Sequence, residues 1–97
     1  MDNKILAKNI EILFEKGDFK HYQLFARYVS MPMSTLGNIR HKEKHSTGLA
    51  IVYKILNAFP GLSANWLLLN IGDMYLDGSN SVKINKRKLS ALIGAWK

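Results

Sequence analysis

Pro32, within the stretch SMPMSTLGNIRHKEKH (residues 30–45), is the residue that most constrains how this chain can fold. A proline is tolerated only in the first turn of a helix, because it lacks the amide hydrogen and clashes with the backbone one turn earlier. Apolar residues recur at helical spacing on both sides of it, namely Leu24, Phe25, Tyr28, Leu36 and Ile39. We therefore predict two short helices, roughly 20–29 and 32–41, joined by a tight turn just before the proline.

Helical spacing of apolar residues predicts further helices on either side of this pair. The first covers residues 3–16 and ends at Gly17, and the fourth runs to about Ala58. Ser46 or Thr47 is the expected N-cap of the fourth helix, because a hydroxyl oxygen can accept a hydrogen bond from an unpaired amide of the first turn.

A fifth helix and a short C-terminal helix follow. Ser63 is the expected cap of the fifth helix, and Asn70, which tolerates a left-handed backbone, is its expected end. Residues 77–81, DGSNS, have the composition of a linker, and the basic segment beyond them carries an apolar stripe. The sequence therefore predicts an all-α fold, with a compact five-helix domain over residues 1–76 and a linker with a basic amphipathic extension over residues 77–97.

The distribution of charge favours a polyanionic partner. Of the net charge of +7, residues 20–54 carry +5 and residues 83–97 carry +5, whereas residues 1–19 carry −1 and residues 55–82 carry −2. Two basic blocks separated by neutral or acidic segments are typical of a protein that contacts nucleic acid. Two solvated faces with a basic tail would give the same charges, so both interpretations stay open at this point.

The sequence lacks the residues that several functional classes require. The chain has no cysteine, and its three histidines have no carboxylate cluster nearby in the sequence, so neither a disulfide nor a metal site is expected. The sequence shows no nucleophile–base pair or phosphate-binding glycine loop, and we expect neither enzymatic activity nor a cofactor. Charged residues interrupt the apolar runs near the N-terminus, and apolar runs such as residues 66–69 are too short to span a bilayer. We expect a cytoplasmic protein with no signal peptide and no membrane contact.

The predicted third helix has a small, polar outer face. At about 100° per residue, a helix that buries Leu36 and Ile39 presents small and polar residues on its opposite side. That face consists of Ser34, Gly37, Asn38 and His41, flanked by Met33 and Thr35. Gly37 costs about 1 kcal/mol relative to alanine in a helix interior; close approach of a partner would explain it, and a tolerated surface glycine is the alternative. A helix, a sharp turn, a second helix with such a face and a basic loop together have the plan of a helix-turn-helix DNA reader.

Residues 22–43, YQLFARYVSMPMSTLGNIRHKE, resemble the helix-turn-helix of the phage-repressor (Cro/C1, XRE-type) family. The shared pattern is an alanine after Leu or Phe in the second helix, a serine-rich start of the third helix, and two aliphatic residues three apart. The matching residues here are Phe25, Ala26, Met33, Ser34, Thr35, Leu36 and Ile39. Ser30 stands where the family has a turn glycine, and Pro32 stands where it often has a capping Ser or Thr that touches phosphate.

Residues 59–75, FPGLSANWLLLNIGDMY, resemble the segment that closes the five-helix domain in the C1-repressor-like branch of that family. Pro60, the Trp-Leu-Leu run from residue 66 and the Gly-Asp-Met turn from residue 72 match its pattern. Asn70 replaces the first glycine of its Gly-x-Gly turn. The two matches cover roughly residues 3–75, and they imply a lambda-repressor-like DNA-binding domain.

The resemblance also implies roles for individual residues. Contacts to base edges are implied for Met33, Ser34, Gly37 and Asn38, and an asparagine can form two hydrogen bonds with adenine. Met33 packing beneath its helix and Ser34 capping its first turn are the alternatives. Contacts to DNA phosphates, which position a protein without reading sequence, are implied for a larger set. That set is Lys20, Tyr22, Gln23, Arg40, His41, Lys42, Lys44, His45 and Thr47.

These observations lead to the expectation of a sequence-specific DNA-binding transcriptional regulator, most simply a repressor, associated with the nucleoid. It would bind a pseudo-palindromic operator in double-stranded DNA as a homodimer. One alternative is an antitoxin-type protein that holds a toxin partner through residues 82–97, and another is a protein-interaction module that has lost DNA binding. The same basic segment has three competing interpretations: a dimerisation helix, an arm on the DNA backbone, or a disordered or truncated linker.

Overall fold

The computed structural model describes residues 4–41 and 48–95, and these residues build an all-α fold, which confirms the predicted class. The helices are α1 (Lys4–Lys16), α2 (Tyr22–Val29), α3 (Met33–His41), α4 (Leu49–Ala58), α5 (Ala64–Leu69) and α6 (Lys86–Ala95). Within the same residues, one isolated antiparallel bridge joins Leu62 to Tyr75. None of the described helices combines the length and hydropathy needed to cross a membrane.

The start of α2 differs from the prediction, which placed it near residue 20. Lys20 has a left-handed backbone with φ of +74°, and the amide of His21 donates to the carbonyl of Phe19 at 2.9 Å. This bond closes a turn of only three residues, an uncommon and strained conformation when its central φ is positive. The helix therefore begins at Tyr22, immediately after the turn.

The starts of α3 and α4 also lie slightly later than predicted. Pro32 precedes α3, and its carbonyl accepts the first helical hydrogen bond from the amide of Leu36 at 3.1 Å. Gly48 is the N-cap of α4 and provides no side-chain hydrogen bond, so the cap is not a hydroxyl residue. The two residues predicted for that role lie outside the described residues, namely Ser46 and Thr47.

An aromatic cluster forms the centre of the core. The ring of Phe19, in the segment after α1, lies with its centroid 5.0 Å from that of Phe25 and 5.2 Å from that of Tyr28. Phe59, which ends α4, is 6.3 Å from Phe19, and all four rings are fully buried. Gly17 makes this approach possible, because a Cβ there would lie 2.5 Å from Cε2 of Phe19. Burial of the rings joins α1, α2 and α4 through large apolar surfaces.

A buried asparagine attaches α5 to α1. Asn9 is 1% exposed, and its Nδ2 donates to the carbonyls of Trp66 at 2.8 Å and Leu67 at 3.2 Å. Both carbonyls lie in the last turn of α5, where few helical donors remain, and the carbonyl of Trp66 also accepts from the amide of Asn70 at 2.9 Å. The predicted ends of α5 are confirmed, since the Ser63 hydroxyl accepts from the Trp66 amide at 3.3 Å and Asn70 is left-handed with φ of +57°.

The C-terminal extension packs against the core that the preceding helices build. The amide of Asn85 donates to the hydroxyl of Tyr28 at 2.8 Å, and the amide of Lys83 donates to the hydroxyl of Tyr75 at 2.9 Å. The Asn85 side chain then caps α6 by accepting from the Lys88 amide at 3.0 Å. Half-buried apolar residues complete the contact: Val82, Ile84, Leu89 and Leu92. The extension is therefore fixed to α2, although the division of the chain at residue 76 stays a prediction.

Candidate nucleic-acid interface

α2 and α3 are joined by a turn in which Ser30 adopts the left-handed conformation, with φ of +66° and ψ of +44°. Its amide donates to the carbonyl of Arg27 at 3.1 Å, and the amide of Met31 donates to the carbonyl of Ala26 at 2.9 Å. This pair of bonds forms a Schellman motif, in which the left-handed residue is usually glycine. Met31 is buried, so the turn is anchored in the core. The chain therefore contains a helix, a tight turn and a second helix, and its turn has a strained residue at the glycine position.

The outer face of α3 carries the four residues predicted to contact bases. α3 buries the two aliphatic residues that the sequence places inside, Leu36 and Ile39. Met33 and Ser34 are exposed, whereas Gly37 and Asn38 are half-buried. A Cβ at Gly37 would meet nothing within 4 Å among the described residues, so the packing described here does not require a glycine there.

A groove of about 290 Å³ lies between α2 and the start of α3, beside this face. It is lined by Gln23, Ala26, Arg27, Met31 and Met33. Met33 is 44% exposed, so its side chain lies at the mouth of the groove and is not buried beneath the helix. The groove thus combines an apolar floor with an amide and a guanidinium group at its rim.

Tyr22 lies between Phe14 and Arg40. Its ring is parallel to that of Phe14 with centroids 3.8 Å apart, and Cζ of Arg40 lies 3.6 Å from the centroid of the Tyr22 ring. Both groups cannot occupy one face at these distances, so the tyrosine ring is held between them. Burial raises the pKa of Tyr22 above its usual value, with the Arg40 charge opposing the shift and the carboxylates of Glu11 and Glu15 adding to it. Two residues predicted to contact phosphate, Tyr22 and Arg40, are therefore in contact with each other.

The other predicted phosphate contacts within the described residues lie near the ends of α2 and α3. Lys20 is exposed, and its Nζ lies 3.4 Å from the carboxylate of Asp18. His21 is the N-cap of α2 without a side-chain cap hydrogen bond, and Gln23 is exposed in the first turn. Uncapped amides at a helix N-terminus favour an anion. His41 is exposed at the end of α3. The remaining predicted contacts lie outside the described residues, namely Lys42, Lys44, His45 and Thr47.

Comparisons of the chain with protein-family models, with curated proteins and with solved structures gave no match. Within residues 4–41 and 48–95, no group of three or more histidine or carboxylate side chains is placed to hold a metal ion.

Sequence reasoning missed three parts of this surface. Phe14, an apolar residue of α1, stacks on Tyr22. Arg27 lines the groove beside Met33; its spacing of four from Gln23 places both on one side of α2 and would have indicated this. Lys4 and Lys8 of α1 lie beside Arg40 only because α1 packs on α3, and no local pattern reveals that contact.

Proposed function

We propose that this protein is a sequence-specific DNA-binding transcriptional regulator, most simply a repressor, in which α2 and α3 form a helix-turn-helix. In this proposal α3 enters the major groove, and the protein acts in the cytoplasm on the nucleoid. Its domain belongs to the lambda-repressor-like class that the sequence resembles.

Backbone geometry at three positions carries the proposal. The resembled repressor pattern has glycine at the positions of Ser30, Asn70 and Gly72, and φ at these residues is +66°, +57° and +80°. A positive φ is what a glycine in such a pattern supplies. At two of the three positions the side chain departs from the pattern, yet the backbone keeps the conformation that glycine favours. This agreement supports the helix-turn-helix and the closing turn as parts of one known design.

The outer face of α3 has the chemistry of a base reader. Asn38 can pair with adenine through two hydrogen bonds, and the exposed side chain of Met33 can contact a thymine methyl group. Ser34 adds a hydroxyl group that can bond to a base edge. Gly37, which has no packing reason to be glycine among the described residues, removes a side chain where α3 would approach the groove. A half-site rich in A·T pairs follows from this arrangement.

Cationic and polar groups around α2 and α3 would contact the DNA backbone. Lys20 and Gln23 flank the uncapped start of α2, and Arg40 and His41 stand at the end of α3. The sequence between α3 and α4 adds Lys42, Lys44, His45 and Thr47. Such contacts give affinity that falls steeply with salt.

Recognition of a pseudo-palindromic operator requires a homodimer. Exposed leucine and isoleucine side chains at and beyond the end of α5 support a contact between two copies, because large apolar groups in water favour association. They are Leu69, Ile71 and Leu76, which are 52%, 60% and 78% exposed.

Selection from a randomised duplex library tests the proposal. The full chain is incubated with fluorescent duplexes at low salt, bound duplexes are recovered and sequenced, and light scattering gives the stoichiometry of the complex. We expect enrichment of one motif with two half-sites about one helical turn apart, bound by two chains. Absence of binding to any duplex at low salt would rule the proposal out.

A protein-interaction module is the second candidate. Leu49 and Tyr53 lie one turn apart on α4 and are both exposed, so α4 offers apolar surface that DNA binding does not use. If the library experiment yields no bound duplex, this candidate takes the place of the first.

A further inference from the structure

We propose that the cleft between α1 and α3 is a binding site for a phosphate group. The cleft has a volume of about 300 Å³ and is lined by Lys4, Ala7, Lys8, Glu11 and Arg40. Three of these five described residues are cations, and they come from two different helices. The site extends the proposed DNA contacts onto α1, and it rests on the proposed function in so far as the phosphate belongs to DNA.

The spacing of residues along α1 explains how the cleft acquires its charge. Lys4, Lys8 and Glu11 recur at intervals of four and three, which places them on one side of the helix. Ala7 lies beside them, and its small side chain leaves space between the lysines and α3. Among the described residues that line it, the cleft therefore has an excess of positive charge, with the Glu11 carboxylate as the one negative group.

Arg40 provides the directional part of the site. Its guanidinium lies over one face of the Tyr22 ring, whose other face is covered by Phe14. A guanidinium held in this way loses less conformational freedom on binding, and its N–H groups can donate a pair of hydrogen bonds to a phosphate. The stack thus orients Arg40, and Lys4 and Lys8 add positive charge beside it.

The position of Arg40 connects the cleft to the proposed reading helix. It lies in the last turn of α3, directly before the exposed His41. If α3 enters the major groove, a phosphate of the strand bordering the groove is the nearest group of this chemistry. A free phosphorylated small molecule would offer the same group, and the two sources can be separated experimentally.

The test uses two pairs of variants in the full chain, each pair matched in charge. Lys8→Gln removes a cation from the cleft, and Lys54→Gln removes an exposed cation from α4. Glu11→Gln removes the cleft carboxylate, and Glu15→Gln removes an exposed carboxylate from the same helix outside the cleft. Duplex binding is measured against salt concentration for each variant, and inorganic phosphate is titrated into each while the Arg40 side-chain N–H signal is followed by NMR.

If the phosphate belongs to DNA, Lys8→Gln makes the negative slope of log affinity against log salt shallower by about 0.9, the value for one lost phosphate contact. Sequence preference does not change. Glu11→Gln raises affinity by about 2- to 5-fold, and both controls change it less. With a free phosphorylated ligand as the source, duplex binding does not distinguish variant from control, yet phosphate shifts the Arg40 signal in the wild type and not in Lys8→Gln. If each cleft variant matches its control in both measurements, the site does not exist.

The two proposals can fail separately. A wild type that binds no duplex contradicts the proposed function, and the phosphate titration still decides whether the cleft is a phosphate site. A wild type that binds duplex, with cleft variants indistinguishable from their controls in both measurements, contradicts the cleft alone.

Discussion

The guanidinium carbon of Arg40 lies 3.6 Å from the centroid of the Tyr22 ring, so the last turn of α3 is held against the first turn of α2. The Schellman turn at Ser30 fixes the other ends of the same two helices. Contacts thus hold α2 and α3 together at both ends, and the stacking of Phe14 on Tyr22 connects the pair to α1. A rigid pair of this kind presents the outer face of α3 in one orientation, which a base reader requires.

Substitutions of Tyr22 test the importance of the stack. Tyr22→Ala should lower the free energy of unfolding by about 2 kcal/mol, because it removes an aromatic pair and a cation–π contact. Tyr22→Phe keeps both contacts and should change stability by less than about 0.5 kcal/mol. Urea denaturation measures both values. Equal losses in the two variants would mean that the hydroxyl group, rather than the stacked ring, matters.

Stability should fall at alkaline pH in a way that depends on Tyr22. Burial raises the pKa of Tyr22 in the folded protein above the usual value of 10.0. The contribution of the neutral Tyr22 hydroxyl to folding stability is complete below pH 10. It is lost as pH rises through the folded pKa, because Tyr22 ionises first in the unfolded chain. Urea midpoints between about pH 9 and about pH 11 should therefore decline more steeply for the wild type than for Tyr22→Phe. Parallel declines would contradict the shift.

Ser30→Gly should stabilise the protein. Ser30 is left-handed, a conformation that costs a residue with a Cβ about 1–2 kcal/mol, whereas glycine adopts it freely but loses more entropy on folding. We expect a net gain of up to about 1 kcal/mol in the free energy of unfolding, measured in urea. Ser30→Ala is the control, because it keeps the Cβ and should gain nothing. Loss of stability in Ser30→Gly would mean that the serine side chain contributes more than its strain costs.

Asn9 should be among the polar residues least tolerant of substitution. Asn9→Leu removes the side-chain donor from the carbonyls of both Trp66 and Leu67. This loss should lower the free energy of unfolding by about 2 kcal/mol. Asn57→Leu, on the exposed side of α4, should cost less than about 0.5 kcal/mol. Thermal and urea denaturation of both variants provide the comparison. A stable Asn9→Leu protein would show that α5 does not need this attachment.

Much of the fold could be predicted from the sequence, because helical spacing and end signals are local. Leu36 and Ile39 are buried where the spacing places them, and Ser63 and Asn70 bound α5 as their chemistry indicates. The start of α2 could not be predicted, because the strained turn at Lys20 has no residue that signals it. The sequence could not predict the packing partners of Leu89 either, because they depend on how α6 packs against α2.

The candidate site was less accessible to prediction than the fold. The helical wheel identified the exposed Ser34 and His41, but it placed Asn38 fully outward, whereas the structure makes it half-buried. A wheel treats a helix in isolation and takes no account of neighbouring elements. The contact of Arg40 with Tyr22 depends on the angle between α2 and α3 and on the packing of α1 beneath them, none of which a linear pattern contains.

The most direct test of the DNA-binding account is the affinity of Asn38→Ala for a duplex selected by the wild type and for a scrambled duplex, both at low salt. We predict that the variant loses affinity for the selected duplex by about 1–3 kcal/mol, the value of one base contact, and keeps its affinity for the scrambled one. Asn57→Ala, the control on α4, should leave both affinities unchanged. A wild type that binds no duplex, or an Asn38→Ala variant that keeps the full preference for the selected sequence, would contradict the account.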